Sequence, residues 1–240
     1  IGTFRLLEAF KQHRKEMSSI SSNDFLFLHV STDEVFGQLN DKDVPFNESS
    51  RYAPNSPYSA SKASSDHIVR AYNKTYKLPT IISNCSNNYG AYQFPEKLIP
   101  LTIFNALNYK DIEIYGDGNQ IRDWLHVSDH CSAIRLILEK GLIGETYNIG
   151  GNAERRNIDV ANEICEILDN LKPKEDSTSY KNQIKFVEDR PGHDKRYAIN
   201  CNKIKNQLDW KQKESFSTGI EKTVRWYLNN SDWLDAVSEK

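Results

Sequence analysis

The sequence predicts an α/β fold built on a largely parallel β-sheet. Three observations favour this class: strand-length apolar runs alternate with helical stretches, several of these runs are apolar throughout, and polar or glycine-containing segments follow them. Continuous apolar strands are typical of parallel sheets that are covered on both faces. Ligands of such sheets bind beyond the carboxyl ends of the strands, so chemistry is expected in the segments after them.

The predicted elements follow one another along the chain. An amphipathic stripe predicts a helix over residues 1–16. Further helices are predicted at 57–76, 96–108, 157–171, 202–208 and 217–229, and strands at 24–31, 79–86, 112–116, 145–151 and 184–189. Pro57 suits the first turn of its helix, and Ser128 is expected to cap a helix that Gly141 closes. The segments after the first, second and fourth strands contain STDEVFG, NCSNNYG and GGN.

Composition excludes several classes of function. The 240 residues carry a net charge of -2 with the basic residues spread along the chain, which argues against nucleic-acid binding. The absence of a signal peptide, of a long apolar stretch and of a Cys-x-x-Cys pair indicates a cytoplasmic protein with free thiols and no membrane span. His126 and His130 have a spacing that can bind zinc, but no further ligands accompany them, so no metal is expected.

Tyr58 and Lys62 form the first candidate catalytic pair. A spacing of four places both side chains on one helix face, one turn apart. A free phenol has a pKa of about 10, and a nearby cation lowers it. The spacing alone is common on exposed helices, but here Thr32 stands at the end of the preceding strand. Together these residues indicate a site that removes a proton from an alcohol.

Asp33 and Glu34 follow Thr32 directly, where a buried strand ends. Burying adjacent acids costs free energy unless the structure uses them. In a partly desolvated site, two coupled carboxyls can be held with one protonated and the other ionised. Alone, the pair is more typical of a solvated turn. Beside Thr32, Tyr58 and Lys62 it indicates proton transfer.

Six segments, in this order, resemble the dTDP-glucose 4,6-dehydratases, which are extended short-chain dehydrogenases: STDEVFG, PYSASKASSDH, NCSNNYGAYQFPEKLIP, YGDGNQIRDWLHVSDH, ETYNIGG and DRPGHDKRYAI. The resemblance runs through nearly the whole chain. It implies a Rossmann-like doubly wound parallel sheet, incomplete because the first βαβ units are absent, with a smaller C-terminal α/β substrate domain. Residues 1–88 would be the C-terminal half of the NAD-binding domain. Residues 89–240 would mainly bind the nucleotide sugar, with part of about 123–150 returning to the first domain.

The resemblance also implies a reaction, in which dTDP-glucose is dehydrated to its 4-keto-6-deoxy product with NAD+ as cofactor. Tyr58 would take the 4-hydroxyl proton while hydride leaves C4 for NAD+, and Thr32 would align O4. Glu34 would then remove the C5 proton and Asp33 would protonate the departing 6-hydroxyl, before hydride returns to C6. The implied cofactor contacts are Ser31, Tyr58 and Lys62. The implied substrate contacts are Asn87, Lys97, Leu98, Tyr115, Arg122, Asn157, Arg190 and His193.

Two alternatives stay open, namely a dehydratase of another nucleotide sugar and a non-catalytic relative that senses NAD. The intact acids argue against the sensor, which needs no general acid. Related sugar epimerases share the Tyr-x-x-x-Lys spacing but lack the acidic pair, because they eliminate no water.

The sequence contains no glycine-rich dinucleotide fingerprint, which the family carries at its start. We therefore expect an N-terminal part to be missing, and residues 1–240 alone to be inactive and to bind NAD+ weakly or not at all. Tight stoichiometric binding in calorimetry would contradict this. Relatives dimerise through two helices per subunit, and the helices at 1–16 and 58–76 match them, which implies a homodimer.

Overall fold

The computed structural model describes residues 1–17 and 25–238. Its helices are α1 (Gly2–Glu16), α2 (Pro57–Tyr76), α3 (Leu98–Leu107), α4 (Val127–Lys140), α5 (Asn157–Leu171), α6 (Asn202–Leu208), α7 (Phe216–Asn229) and α8 (Ser231–Ser238). Its strands are β1 (Phe27–Thr32), β2 (Thr80–Cys85), β3 (Asn87–Tyr89), β4 (Ile112–Tyr115), β5 (Ile121–His126), β6 (Thr146–Ile149), β7 (Glu154–Arg156) and β8 (Ile184–Val187). Short 3-10 helices span Asp33–Phe36 and Tyr180–Gln183.

The chain divides into two compact units, each made of three segments. The first unit comprises Ile1–Ser86, His130–Gly150 and Tyr197–Lys211. The second unit comprises Asn87–Asp129, Gly151–Arg196 and Gln212–Lys240. The sequence analysis predicts that part of about 123–150 belongs to the first domain. The first unit also includes Tyr197–Lys211, which the sequence analysis assigns to the second domain. What each domain binds stays a prediction.

A three-stranded parallel sheet in the order β1-β2-β6 forms the centre of the first unit. Its strands end in register, since Thr32 pairs with Cys85 and Cys85 pairs with Ile149. The three segments that the sequence selects for chemistry therefore begin at one edge of this sheet, which is where parallel sheets bind their ligands.

Helix α2 starts and stops at local signals. The Ser56 side chain accepts a hydrogen bond from the Ser59 backbone N–H, and the Ser59 hydroxyl accepts one from the Ser56 N–H. This capping box satisfies backbone donors that have no partner inside the helix, and Pro57 is preorganised for the first turn. Lys77 ends the helix in the left-handed conformation, with φ 54°.

Helix α1 packs on α2 through one face. The apolar cluster between these helices and the sheet contains Leu7, Val69, Tyr72, Leu78 and Ile82 as its buried members. Burying an aliphatic side chain of this kind stabilises the fold by about 1.5–3 kcal/mol relative to leaving it exposed. The cluster therefore fixes α2, with its catalytic candidates, on the sheet.

The described residues of the second unit form two sheets. Strand β5 pairs in parallel with β3 and antiparallel with β7, while β4 and β8 form a parallel pair. Helices α3, α5 and α7 contribute Ile103, Ile164 and Val224 to its buried apolar core. Pro100 lies in the first turn of α3, where a backbone N–H has no partner within the helix, so it does not break the helix.

The observed elements differ from the predicted ones in several places. Strands β3, β5 and β7 and helix α8 are additions. Helix α4 begins at Val127 directly after β5, so the prediction that Ser128 caps it is wrong. The Ser128 hydroxyl lies instead 2.7 Å from Nδ1 of His126. Asp24, the first residue of the predicted strand 24–31, lies outside the described residues.

Candidate active site

The first part of the site is the turn that follows β1. Thr32 is the residue before the 3-10 helix, and its Oγ1 accepts a hydrogen bond of 3.3 Å from the Glu34 N–H. The same hydroxyl donates to Asp33 Oδ1 at 3.3 Å. Gly37 closes the turn with φ 87°, and a Cβ there would lie 2.4 Å from the Ala53 carbonyl oxygen. The turn thus requires glycine, and it holds both acids beside the hydroxyl.

The groups of this turn differ in their access to solvent. Ser31, Thr32 and Asp33 are buried, whereas Glu34 is half-buried. Buried polar groups are costly unless other groups bind them. The location fits groups that meet a reactant at the edge of the sheet.

Tyr58 lies in the first turn of α2 and is 55% exposed. Burial of the phenol raises the pKa of Tyr58, and the charges of Glu34, Cys85 and Asp33 raise it further. These three side chains act on the phenol electrostatically, so the structure brings Tyr58 to the acidic turn. The direction is opposite to the predicted one, in which a cation lowers this pKa.

The main reason is burial of the phenol, followed by the nearby acids, while Lys62 is bound elsewhere. Its ammonium donates a hydrogen bond of 2.7 Å to the carbonyl oxygen of Val30 in β1. The i, i+4 spacing is present as predicted, but the ammonium is bound to the strand, and nearby acids dominate the charge at the phenol.

Ser31, Tyr58 and Lys62 are the residues that would hold the cofactor. They supply a hydroxyl, a phenol and an ammonium at the carboxyl end of a parallel strand, and the phenol is open to solvent. Hydrogen-bonding groups of this kind fit the hydroxyls of a nicotinamide ribose. The residues present are therefore compatible with NAD+.

In the second unit the structure brings together Tyr115, Arg122, Arg190 and His193. The Tyr115 and His193 rings lie edge to face with centroids 6.5 Å apart. Burial lowers the pKa of His193, and the positive charges of Arg122 and Arg190 lower it further against the opposing effect of Asp189. Two cations beside an aromatic ring form an arrangement that suits a phosphorylated nucleoside.

Within this group Arg122 is almost fully buried. Its guanidinium donates to the backbone carbonyl oxygens of Ile121 at 2.8 Å and of Asp194 at 2.9 Å. Arg190 is exposed, and its backbone N–H donates to Asp189 Oδ1. The two arginines therefore differ, since one is held by the fold and the other reaches solvent.

The remaining predicted substrate contacts are also in the second unit. Asn157 begins α5, and its backbone N–H donates to the Gln120 carbonyl oxygen at 3.0 Å. Lys97 is exposed and pairs with Glu96, and Leu98 begins α3. Asn87 begins β3, and among the described residues its buried Oδ1 has no hydrogen-bond partner. An unsatisfied buried acceptor of this kind suits a polar ligand.

Sequence reasoning missed Asp189 and Gln120. Asp189 Oδ1 lies 2.7 Å from Nδ1 of His193, and its Oδ2 accepts from Gln120 at 3.1 Å. Hydrogen bonding by His193 is the main cause that lowers the pKa of Asp189, although burial opposes it. Asp189 stands in the quoted segment DRPGHDKRYAI, four residues before His193, a spacing that could have indicated the pair.

Two further observations concern the whole described part of the chain. Within it, no group of three or more histidine, cysteine or acidic side chains is placed to hold a metal ion. None of its helices combines the length and the apolar character needed to cross a bilayer.

A hydroxyl, a tyrosine and a lysine at the carboxyl edge of a parallel sheet define the class of short-chain dehydrogenases. Comparisons with known proteins narrow the class. A family model described as GDP-mannose 4,6 dehydratase matches residues 1–223. The chain is 56% identical to dTDP-glucose 4,6-dehydratase 1 of Escherichia coli (strain K12), over 99% of the chain and 67% of that protein.

Solved structures agree with this. One is the dTDP-glucose 4,6-dehydratase of Bacillus anthracis in complex with NAD. The match covers 99% of this chain and 70% of the Bacillus anthracis chain, with a TM-score of 0.87 and 49% identity. Another is the dTDP-glucose 4,6-dehydratase of Streptomyces venezuelae with NAD bound. The match covers 98% of this chain and 67% of the Streptomyces venezuelae chain, with a TM-score of 0.84 and 41% identity. The chain belongs to the family described as GDP-mannose 4,6 dehydratase and, within it, to the dTDP-glucose 4,6-dehydratases.

Proposed function

We propose that this chain carries the catalytic groups for dehydration of dTDP-glucose to dTDP-4-keto-6-deoxyglucose. The main support is the turn after β1. There Thr32 is followed by Asp33 and Glu34, and both acids raise the pKa of Tyr58. The relatives are named for this enzyme, and two of their structures hold NAD. Ser31, Tyr58 and Lys62 would hold NAD+, which would supply the reversible hydride chemistry that oxidation at C4 and reduction at C6 require.

In the first step Tyr58 accepts the proton of the 4-hydroxyl. The phenol must be ionised to do this, and burial together with the nearby acids opposes its ionisation. Positive charge is therefore needed beside it, and Lys62 is the cation one helical turn away. Among the described residues the Thr32 hydroxyl makes two long bonds of 3.3 Å within its turn, so it remains able to bind O4 of the sugar.

In the second step the 4-ketone acidifies the C5–H bond. Glu34, which is half-buried, removes this proton, and Asp33 gives a proton to the 6-hydroxyl, which departs as water. C6 then receives hydride, and C5 regains a proton. Two adjacent carboxyls in a site with little water are suited to holding one proton between them.

The second unit would bind the nucleotide. Arg122 and Arg190 are suited to the diphosphate because a guanidinium meets phosphate oxygens in a bidentate manner. Tyr115 offers an exposed ring to the thymine. Asn87, Lys97 and Leu98 would contact the sugar, and Asn157 and His193 the nucleotide.

The test gives the full-length protein NAD+ and dTDP-glucose and follows the sugar nucleotide by mass spectrometry. We expect the loss of one water. UDP-glucose is the matched comparison, since it changes only the nucleoside. A dTDP-glucose mass that stays unchanged would contradict the function, and faster turnover of UDP-glucose would support a different nucleotide sugar.

We further propose that the chain forms a homodimer through α1 and α2. Ile1, directly before α1, is 93% exposed, and Phe4 and Leu6 within α1 are 46% and 62% exposed. Tyr76 of α2 is 52% exposed. Apolar side chains exposed together on adjacent helices are typical of a protein–protein interface. A dimer with two-fold symmetry would bury the same surface on both subunits.

Light scattering tests the dimer. The full-length protein is expected to have twice the mass of its chain, and Leu6→Glu is expected to shift it toward the monomer. Leu142→Glu is the control, since Leu142 is also exposed (56%) but lies outside both helices. A monomeric full-length protein would contradict the proposal.

A further inference from the structure

Asp66 is a fully buried acid on the catalytic helix. It lies on the inner face of α2, where Ser59, Ala63 and Val69 are its buried neighbours along the helix. A buried carboxylate is costly unless it is paired and hydrogen-bonded. It is four residues beyond Lys62, so it lies one turn further along the helix that carries Tyr58.

Three side chains from other parts of the first unit meet this carboxylate. The Tyr52 hydroxyl donates to Asp66 Oδ2 at 2.7 Å, and Asn84 Nδ2 donates to the same oxygen at 3.2 Å. His29 Nε2 lies 3.0 Å from Oδ1. Burial alone would raise the pKa of Asp66, but the close imidazole of His29 and the hydrogen bond from Tyr52 outweigh it and leave the pKa lowered.

Asn84 links this carboxylate to the catalytic turn. The same Nδ2 that contacts Asp66 also donates to the backbone carbonyl oxygen of Thr32 at 3.0 Å. A side-chain amide has two N–H donors, so one group can serve both acceptors. Asn84 therefore joins α2 to the residue that begins the acidic turn.

We propose that Asp66 and Asn84 form a clamp that positions the Thr32 hydroxyl against Tyr58 on α2. Two further side chains link α2 and β1: Lys62 through the Val30 carbonyl, and His29 through Asp66. The clamp rests on the proposed function, in which Thr32 and Tyr58 both act on the 4-hydroxyl. Asp66 and Asn84 are positioning residues, since they act through the backbone of Thr32.

Tyr52 provides a control within the same network. It binds the same oxygen of Asp66 as Asn84 does, and its hydroxyl accepts from Arg70 at 2.7 Å. Among the described residues its hydroxyl bonds to Asp66 and Arg70 and also acts on Asn84, but it makes no hydrogen bond to Thr32. Tyr52→Phe thus removes a buried hydrogen bond to the carboxylate and keeps the link between Asn84 and Thr32.

The experiment compares Asn84→Ala, Asp66→Asn and Tyr52→Phe in the full-length protein with NAD+. For Asn84→Ala we expect kcat for dTDP-glucose to fall by about tenfold to a hundredfold, because small displacements of aligned groups cost this much. KM is expected to change little. Deuterium at C4 should slow the variant more than the parent, since C4 oxidation becomes the slowest step. Asp66→Asn, which keeps the side-chain volume, should show the same pattern more weakly.

Tyr52→Phe is expected to lower the thermal unfolding midpoint yet keep kcat and the parental isotope effect. Calorimetry with dTDP alone should give the parental affinity for all three variants. The clamp is overturned if Asn84→Ala keeps the parental kcat, or if all variants lose activity only in proportion to their unfolded fraction. A parent protein that leaves dTDP-glucose unchanged overturns the proposed function and the clamp together, and this outcome is distinct from the others.

Discussion

In the first unit the catalytic candidates come from one strand end and one helix, within residues 32–62, whereas the nucleotide candidates of the second unit come from three separate segments. Thr32, Asp33 and Glu34 are placed by a backbone turn. The Arg122 guanidinium is bound by the carbonyl oxygen of the distant Asp194 as well as by that of its neighbour Ile121. Asp189 holds the nearby His193 and is itself bound by the distant Gln120. The first region is built mainly by local backbone geometry and the second by long-range pairing.

This difference bears on how each region is expected to respond to change. A side chain at the end of a capped turn can be replaced with little effect on the backbone, so its loss removes chemistry. A side chain that also supports its neighbours affects binding and packing together. Substitutions in the first region should therefore change kcat, and those in the second should change affinity.

The largest effect is expected for Glu34→Gln. This change removes the base for C5 while keeping the side-chain size, and a positioned base contributes about a hundredfold to ten-thousandfold to a rate. Product formation, followed by loss of water, should fall by that factor, while dTDP affinity in calorimetry stays the same. Glu139→Gln, on the exposed side of α4, is the control. Unchanged turnover would refute the role of Glu34.

A smaller effect of a different kind is expected for Arg190→Gln. Hydrogen bonds to charged groups contribute about 1.5–3 kcal/mol to binding. Their loss should raise the dissociation constant for dTDP by roughly tenfold to a hundredfold. kcat should change little, because Arg190 lies outside the acidic turn. Arg225→Gln, on α7 and paired with Glu221, is the control. A fall in kcat at unchanged dTDP affinity would contradict the expectation that substitutions in the second region change affinity.

The third effect is on stability and leaves catalysis unchanged, and it concerns one histidine in each unit. Burial lowers the pKa of His130 in the first unit to about 4, while Asp189 partly opposes the lowering for His193 in the second. An unfolded histidine has a pKa of about 6.5, so the folded state binds fewer protons below that pH. The contribution of His130 is complete above pH about 6.5 and is lost as the pH falls toward 4, by roughly 3 kcal/mol in total.

Thermal unfolding at about pH 7 and pH 5 measures this dependence on histidine protonation. The parent should lose more stability on acidification than His130→Gln does. His193→Gln serves as the comparison from the second unit and should change the acid sensitivity less. Equal losses in the parent and His130→Gln would show that His130 is not responsible.

Much of the architecture was predictable from the sequence. Helices α2, α5 and α6 have the predicted bounds, and in α2 Ser56 and Pro57 mark the start. Strands β3, β5 and β7 were not predicted because they contain many polar residues and exist through pairing with one another. A local pattern carries little information about such strands.

The sequence by itself determined the starts of α2, α5 and α6, the alternation of strands and helices, and the hydroxyl and two acids at the end of β1. These follow from local propensity, capping and spacing. Tertiary structure alone decided that Lys62 binds the Val30 carbonyl, that the pKa of Tyr58 is raised, and that Asp66 meets Asn84. The reason is that hydrogen bonds and pKa values depend on burial and on charges from distant segments, which spacing along one helix does not specify.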